Sequence, residues 1–448
     1  QNNRVVFRNM IFGYEKLNDN GDPIENCLDF VSNSWKICDC HNYFCGMFQK
    51  VKHDFIQKTK SGEFQVNTPL KFKLIKNIKD EKYFYVVNIK EFASAVGVDR
   101  VSGVELDNHV FEYMNETALN HCRKNQCKII INYGYEGFGS DINDSILSPT
   151  LLTKLHKILN EYNLPHDNII YLDGNTFIDN KDLDTKVNFF SYEYCALDWE
   201  RYTSMHPSMT YHGNKRSIKN LKKFEKTKDV IRNKHFLSFN RLPKQHRFDF
   251  VLSLFKNRIL DKGYVSFPKK NTFWKFETYY QDLKPYELKF FDVLPLTIDD
   301  IDLEEKKWSF ELTNNNFYLD SYFQVVNENQ FTSLDDQIQF SEKVWKPITN
   351  FQPFIILGDQ SMLRQLRVWG FHTFEPFIDE SYDNELDKDK RFDMVISQVK
   401  KLCEMPIEEI DEWYWSIEDK IKHNYYHFYN QFSRKQRDKL YKKLKETL

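Results

Sequence analysis

The sequence predicts an α/β protein of two domains, each built on an open parallel sheet, facing one another across a cleft and followed by a helical C-terminus. Three observations predict it. Short, continuously apolar runs alternate with segments of helical spacing, and such runs suit strands covered on both faces. The alternation occurs twice, first between Cys127 and Cys195 and again from His235 onward. A polar and basic stretch, YHGNKRSIKNLKKFEKTKDVIRNK, lies between the two. A chain of 448 residues is also long for one domain.

The elements follow in order. The first ~120 residues carry short mixed segments, of which Tyr83 to Ile89 reads as a strand. CKIIINYGYEGFG, from Cys127, is a buried strand running into a loop. In SPTLLTKLHKILNEYNL, Ser148 and Pro149 open a helix whose leucines recur at helical spacing. NIIYLDGN and VNFFSYEYC supply two more strands. Strand, helix, strand with apolar strands makes a Rossmann-like half. The basic stretch is taken as the boundary, a solvated helix within one domain being the alternative. In the second half HFLSF, YVSF, YFQVVNE and PFIILG read as strands, and KQHRFDFVLSLFKNRIL, SEKVWKPITNF and SMLRQLRVWG as helices. From about Asp389 the chain reads as helical. The expected domains are residues 1–215, residues 234–400, and a helical segment 401–448 that packs back on the body.

Composition narrows the function. The net charge of −2 lacks the basic excess of a general nucleic-acid binder, so a nucleic-acid partner is not favoured. No apolar run reaches the ~18 residues that span a bilayer, and no signal peptide opens the chain, which begins at Gln1. A cytoplasmic protein is expected. The tail QFSRKQRDKLYKKLKETL sets Leu440, Tyr441, Leu444 and Leu448 at helical spacing beside many cations. It is read as a solvated or domain-crossing helix, with peripheral contact to an anionic membrane as the alternative. Scarce Gly and abundant Asn, Lys, Ile and Phe suit a viral or bacterial source. Eight cysteines in this length are no disulfide scaffold. Cys38, Cys40, His41 and Cys45 are zinc-type ligands at a spacing that fits no familiar finger, so ordinary thiols are preferred to a metal site.

In open α/β sheets ligands bind at the carboxyl ends of the strands. After HFLSF come Asn240 and Arg241, then His246 and Arg247; after YFQVV come Asn327, Glu328 and Asn329. Ser341 is a good N-cap, and it places Glu342 and Lys343 in a first helical turn, where backbone N–H groups favour an anion. A lysine there is mildly unfavourable for the helix itself, so an anionic ligand explains it. Arg247, Lys343 and that helix start describe a pyrophosphate site that needs no metal. The ordinary readings are surface ion pairs for Arg241 and Arg247 and plain capping for Ser341 and Glu342. Residues 369–383, with His372 and Glu375, are read as structural closure of the sheet, and Asp299, Asp300 and Asp302 as a solvated turn.

The ordered set SFNRLPKQHR, VVNEN and FSEKVWKPITNFQPFIILG resembles inverting glycosyltransferases of the GT-B fold, most of all the α1,3-fucosyltransferase-like group. It is also similar to phage-type and capsule-type glycosyltransferases. Ser238 and Asn240 with Arg247, then Glu328 and Asn329, then Ser341 (for Thr), Glu342 and Lys343, then Pro353 and Gly358, stand in for the group's pieces. The likeness covers residues 234–383. It implies that Arg247 and Lys343 bind the pyrophosphate of a UDP- or GDP-sugar, that Glu342 holds the ribose, and that Glu328 and Asn329 line the sugar or nucleoside. It implies a nucleotide-sugar co-substrate and no further cofactor, with a glycan hydroxyl as acceptor. An inverting enzyme also needs a carboxylate to take the acceptor proton. Glu136, in NYGYEGFG, is the first candidate, with Glu193, Asp173 and Asp198 as alternatives; no local match fixes the choice. Two rival functions stay open: transfer to a nucleic-acid base or a protein, and a non-catalytic, structural protein on the same scaffold, viral for instance.

Overall fold

In the computed structural model the described residues are 10–16, 26–29, 34–37, 57–58, 64–65, 70–89, 96–98, 108–133, 149–180, 183–204, 224–228, 230–269, 285–298, 316–334 and 337–448. The chain divides into unit 1, Gln1–Tyr202 with Ser433–Leu448, and unit 2, Thr203–Phe432.

Unit 1 contains strands β1 (Met10–Tyr14), β2 (Asn26–Asp29), β3 (Ser34–Ile37), β4 (Gln57–Lys58), β5 (Phe64–Gln65), β6 (Leu70–Leu74), β7 (Tyr83–Asn88), β8 (Cys127–Tyr133), β9 (Ile169–Asp173) and β10 (Asn188–Ser191). The main sheet runs β10-β9-β8-β7-β1-β6, all parallel along that path. An antiparallel pair, β2 with β3, hangs on β7, and β4 pairs separately with β5. The KIII run of β8 sits between β7 and β9, and Ile129, Ile130 and Ile131 are essentially inaccessible. That is why the sequence shows a solid apolar run rather than alternation. Helix α1 (Glu116–Arg123) starts at Asn115, whose Oδ1 accepts from the N–H groups of Thr117 (3.0 Å) and Ala118 (3.2 Å). Helix α2 (Pro149–Glu161) turns Leu151, Leu155, Ile158 and Leu159 into the core beneath the sheet. Helix α3 (Tyr194–Ser204) follows β10.

Unit 2 contains β11 (Lys234–Phe239), β12 (Gly263–Ser266), β13 (Ser321–Asn327) and β14 (Phe354–Leu357), in the parallel order β12-β11-β13-β14. Counted within each unit, both main sheets place their first strand between the second and third along the main path, leaving the short outlying strands aside. Each therefore winds outward both ways from its first strand, as a doubly wound, Rossmann-like sheet does. The helices are α4 (Gln245–Lys256), α5 (Pro285–Leu288), α6 (Asn316–Leu319), α7 (Glu342–Thr349), α8 (Met362–Val368), α9 (Lys388–Glu404), α10 (Ile407–Ser416) and α11 (Glu418–His427). The strands and helices expected from His235 onward all form.

The helical C-terminus divides differently from expectation. A break at residue 401 falls inside α9, whose apolar stripe of Val395, Val399, Leu402 and Cys403 runs on without interruption. Helices α10 and α11 stay with unit 2. The Tyr414 hydroxyl donates to the Phe351 carbonyl at 2.7 Å, and the Arg232 guanidinium stacks 4.0 Å from the Tyr414 ring centroid. Of the described C-terminal helices only α12 (Ser433–Thr447) belongs to unit 1. Its Leu440, Tyr441 and Leu444 are buried. Arg437 pairs with Glu200 at 2.6 Å, and Lys439 and Lys443 both pair with Asp179. Burial alone would raise the Asp179 pKa, but those lysines and Ser191 outweigh it and hold the carboxyl below its usual range. No helix among the described residues is long and apolar enough to cross a membrane.

Candidate functional site

The two directions of winding in unit 2 part between β11 and β13, so the crevice of that sheet opens at the carboxyl ends of these two strands. Polar side chains there lie beyond the reach of bulk water and must pair with one another. Asn240, directly after β11, donates from Nδ2 to Ser238 Oγ at 3.1 Å. Its N–H donates to Ser266 Oγ, at the end of β12, at 3.1 Å. Asn327, the last residue of β13, donates from Nδ2 to Asn240 Oδ1 (2.6 Å) and Ser238 Oγ (3.2 Å). Three strand ends are thus tied into one floor. The buried Asn327 Oδ1 accepts no hydrogen bond among the described residues.

Arg247 stands in the first turn of α4 and is 1% exposed. Its Nη1 donates to the Leu242 carbonyl at 2.9 Å, and its Nη2 donates to the Glu328 carbonyl (3.0 Å) and to Asn329 Oδ1 (2.8 Å). His246 Nε2 donates to the same Glu328 carbonyl at 2.9 Å. Burial, aided by the Arg247 charge, pushes this imidazole pKa well down, so it is neutral. Lys244 Nζ donates to the Asn329 carbonyl at 2.6 Å. Arg241 is half-buried, and burial draws its pKa down.

The third strand end meets the start of α7. Glu328 Oε1 accepts from the Ser341 N–H at 3.1 Å, and Oε2 accepts from the Asn329 N–H at 2.9 Å. Ser341 caps α7 by accepting from the Lys343 N–H at 3.3 Å. Lys343 Nζ donates to Asn329 Oδ1 (3.0 Å), Ser341 Oγ (3.3 Å) and Glu342 Oε1 (3.2 Å). Lys346, one turn on, places Nζ 3.6 Å from the same Glu342 oxygen. Burial would raise the Glu342 pKa, but Lys343 and Lys346 outweigh it and hold it at about 2. Lys244, Arg247, Lys343 and Lys346 thus stand against the carboxylates of Glu328 and Glu342, and the crevice has a positive balance.

The structure therefore brings Arg247 and Lys343 together on one oxygen. That oxygen is an amide oxygen, which orients both cations and neutralises neither. Glu328, Asn329, Ser341 and Glu342 lie in the same network, whereas Asn240, followed in sequence by Arg241, belongs to the separate Ser238, Ser266 and Asn327 set. Strand-end reasoning missed Asp359, which follows the carboxyl end of β14. Its Oδ1 accepts from the Thr332 N–H (2.9 Å) and hydroxyl (3.0 Å), its buried Oδ2 accepts nothing among the described residues, and burial lifts its pKa to about 6. The same rule applied to PFIILGD would have found it. Gly358, before it, is closely packed: a Cβ there would lie 2.5 Å from Met362 Sδ and 3.2 Å from Glu328 Cβ. Lys346 was also missed, although its place four residues after Glu342 is a helical-pair signal. The 369–383 segment is tied inward: Arg367 pairs with Glu380 at 2.8 Å, and Asn424 exchanges hydrogen bonds with the His372 backbone.

Glu136, the first candidate for the proton acceptor, lies outside the described residues, as do Cys38, Cys40, His41, Cys45, Asp299, Asp300 and Asp302. Among the described residues no group of three or more His, Cys, Asp or Glu gathers to hold a metal ion. Asp198 lies in α3. Asp173 ends β9, where its Oδ1 accepts from the Asn175 N–H at 2.7 Å. Glu193, just beyond β10, is buried, accepts from the Thr176 hydroxyl at 2.9 Å, and is pushed up to about 8 by that burial. A folded-state pKa above the ordinary 4.5 means the folded chain binds the proton more tightly. Its contribution is therefore full below about pH 4.5 and is lost as pH rises to about 8, by at most ~1.4 kcal/mol per pH unit. Glu193→Gln should flatten the stability profile across that window, as read by urea unfolding at a series of pH values. A parallel profile for the variant would refute it.

Comparison with protein-family models, curated proteins and solved structures finds no match to this chain. The functional reading therefore rests on the geometry of unit 2.

Proposed function

We propose that unit 2 binds the diphosphate of a nucleotide sugar, and that the chain is an inverting glycosyltransferase of the GT-B type using a UDP- or GDP-sugar and an acceptor hydroxyl. One observation carries the reading. Arg247 and Lys343, from two different helix starts, converge on Asn329 Oδ1 where the sheet's winding divides. Glycosyl transfer builds positive charge on the sugar and negative charge on the departing diphosphate. Fixed cations aimed at that second charge, in a site shielded from water, lower the barrier without reorganising. The α7 N-terminus adds backbone N–H groups of the same sense. Glu342, held ionised, is suited to accept from ribose hydroxyls, and Asn327 Oδ1 and Asp359 Oδ2 are further acceptors at the same sheet edge. The acceptor hydroxyl must lose its proton to a carboxylate.

The test is thermal unfolding with UDP, GDP and other nucleoside diphosphates in the presence of a chelator. A diphosphate at 100 times its dissociation constant should add roughly 2.7 kcal/mol. Lys343→Ala should remove that gain while leaving the fold intact, because Lys343 is partly exposed. An equal response of wild type and variant would remove the assignment. A second reading has one observation in its favour: both terminal nitrogens of Arg247 and both Glu328 oxygens are engaged by the protein itself. A purely structural clamp is built that way, as in a non-catalytic protein on this scaffold. It predicts no nucleotide response at all.

A further inference from the structure

We infer that Asn329 is a built-in stand-in for a ligand oxygen: its side-chain carbonyl occupies the place of a phosphoryl oxygen between Arg247 and Lys343, and swings aside when the anion enters. The inference rests on the diphosphate reading of this site and adds how the empty site is held. Nη2 of Arg247 lies 2.8 Å and Nζ of Lys343 lies 3.0 Å from Asn329 Oδ1, close to the spacing at which such donors grip a phosphate oxygen. Two cations drawn together with no acceptor between them would repel and splay. An amide oxygen keeps them poised without cancelling their charge, whereas a carboxylate would satisfy the site permanently.

The surroundings let the side chain leave while the backbone stays. The Asn329 N–H is held by Glu328 Oε2 at 2.9 Å, and its carbonyl by Lys244 Nζ at 2.6 Å. The residue is half-buried, not sealed in. Its departure therefore requires only side-chain rotation at a position an incoming anion can reach. Lys343 keeps its contacts to Ser341 and Glu342 throughout, so the cation does not drift when its amide partner is exchanged for phosphate.

The test is titration calorimetry of the full chain with inorganic pyrophosphate, and with UDP and GDP, in the presence of a chelator, combined with thermal unfolding. Asn329→Ala should bind pyrophosphate a few-fold more tightly than wild type, since nothing must be displaced. It should melt lower without ligand and recover when pyrophosphate is added. Asn329→Asp should do the reverse, melting higher than wild type and binding pyrophosphate at least about tenfold more weakly, because its own charge fills the site. If Asn329→Ala does not fold, Asn329→Ser, which also withdraws the oxygen, carries the same expectation. Loss of binding in Asn329→Ala comparable to that in Lys343→Ala would make Asn329 a direct ligand contact and overturn the stand-in. Unchanged affinity in Asn329→Asp would overturn it equally. Either result would leave the diphosphate site itself standing, provided wild type binds. Failure of wild type to bind pyrophosphate, UDP and GDP would remove the site reading and the inference together.

Discussion

Arg247→Ala is expected to cost roughly 3–5 kcal/mol of folding stability, and to abolish diphosphate binding in whatever folded protein remains. The residue is 1% exposed, and its guanidinium joins three acceptors from two segments: the Leu242 carbonyl, the Glu328 carbonyl and Asn329 Oδ1. Removing it leaves the Leu242 carbonyl short of its partner and opens a cavity beneath α4. The Glu328 carbonyl keeps His246, so the loss is less than complete disruption of the loop. Arg247→Lys should recover little, because one ammonium cannot span the fork that two guanidinium nitrogens fill. Denaturant unfolding reads the effect directly, and a loss below about 1 kcal/mol would show that these carbonyls find other partners. Lys343→Ala makes the useful contrast, since it is expected to cost binding far more than stability.

Trp345→Ala is expected to cost a further ~3–5 kcal/mol by a different mechanism. Trp345 is fully buried on the inner face of α7. Its ring lies 5.8 Å from Phe340, 5.8 Å from Phe371, 5.5 Å from Phe428 and 5.1 Å from Phe432 by centroids. This cluster fixes the helix whose outer first turn presents Ser341, Glu342 and Lys343. Truncation should therefore loosen the anion site as well as the core, lowering both the unfolding midpoint and diphosphate affinity. Trp345→Phe should cost clearly less than Trp345→Ala, since it keeps one aromatic ring in the cluster and removes an indole N–H that has no acceptor among the described residues. Equal losses in the two variants would contradict the packing account.

The parts of the fold that could be read in advance are those whose cause is local. HFLSF and YFQVV are the two inner strands of a parallel sheet, and PFIIL, though an end strand in the described order, is buried as well, so burial on both faces writes itself into the sequence as an apolar run. Ser341 announces α7 because capping is a one-residue signal. Strand β1 is different. MIFGY is a short run among unreadable neighbours, and its place between β7 and the end strand β6 is set by partners far along the chain. The division of the C-terminal helices was equally hidden. Nothing changes in composition at residue 401, and α12 meets the rest of unit 1 through Arg437, Lys439 and Lys443 on Glu200 and Asp179, which no local pattern couples.

The site followed the same division. Strand-end logic placed Asn240, Arg247, Glu328, Asn329 and Lys343 in one neighbourhood, because a parallel sheet delivers all its carboxyl ends to one edge. It could not show that Arg247 and Lys343 share a single acceptor, or that the acceptor is neutral. Asp359 stands one residue beyond Gly358 at the same edge, and its burial against Thr332 marks it out. The burial that raises the Glu193 pKa is likewise set by tertiary packing and leaves no local mark in the sequence.

The most direct measurement is a crystal structure of the chain with UDP or GDP bound. The account predicts a β-phosphate oxygen within hydrogen-bonding distance of both Arg247 Nη2 and Lys343 Nζ, at the place now held by Asn329 Oδ1, with the Asn329 side chain turned away. A nucleotide bound elsewhere, with Asn329 still bridging the two cations, would contradict it.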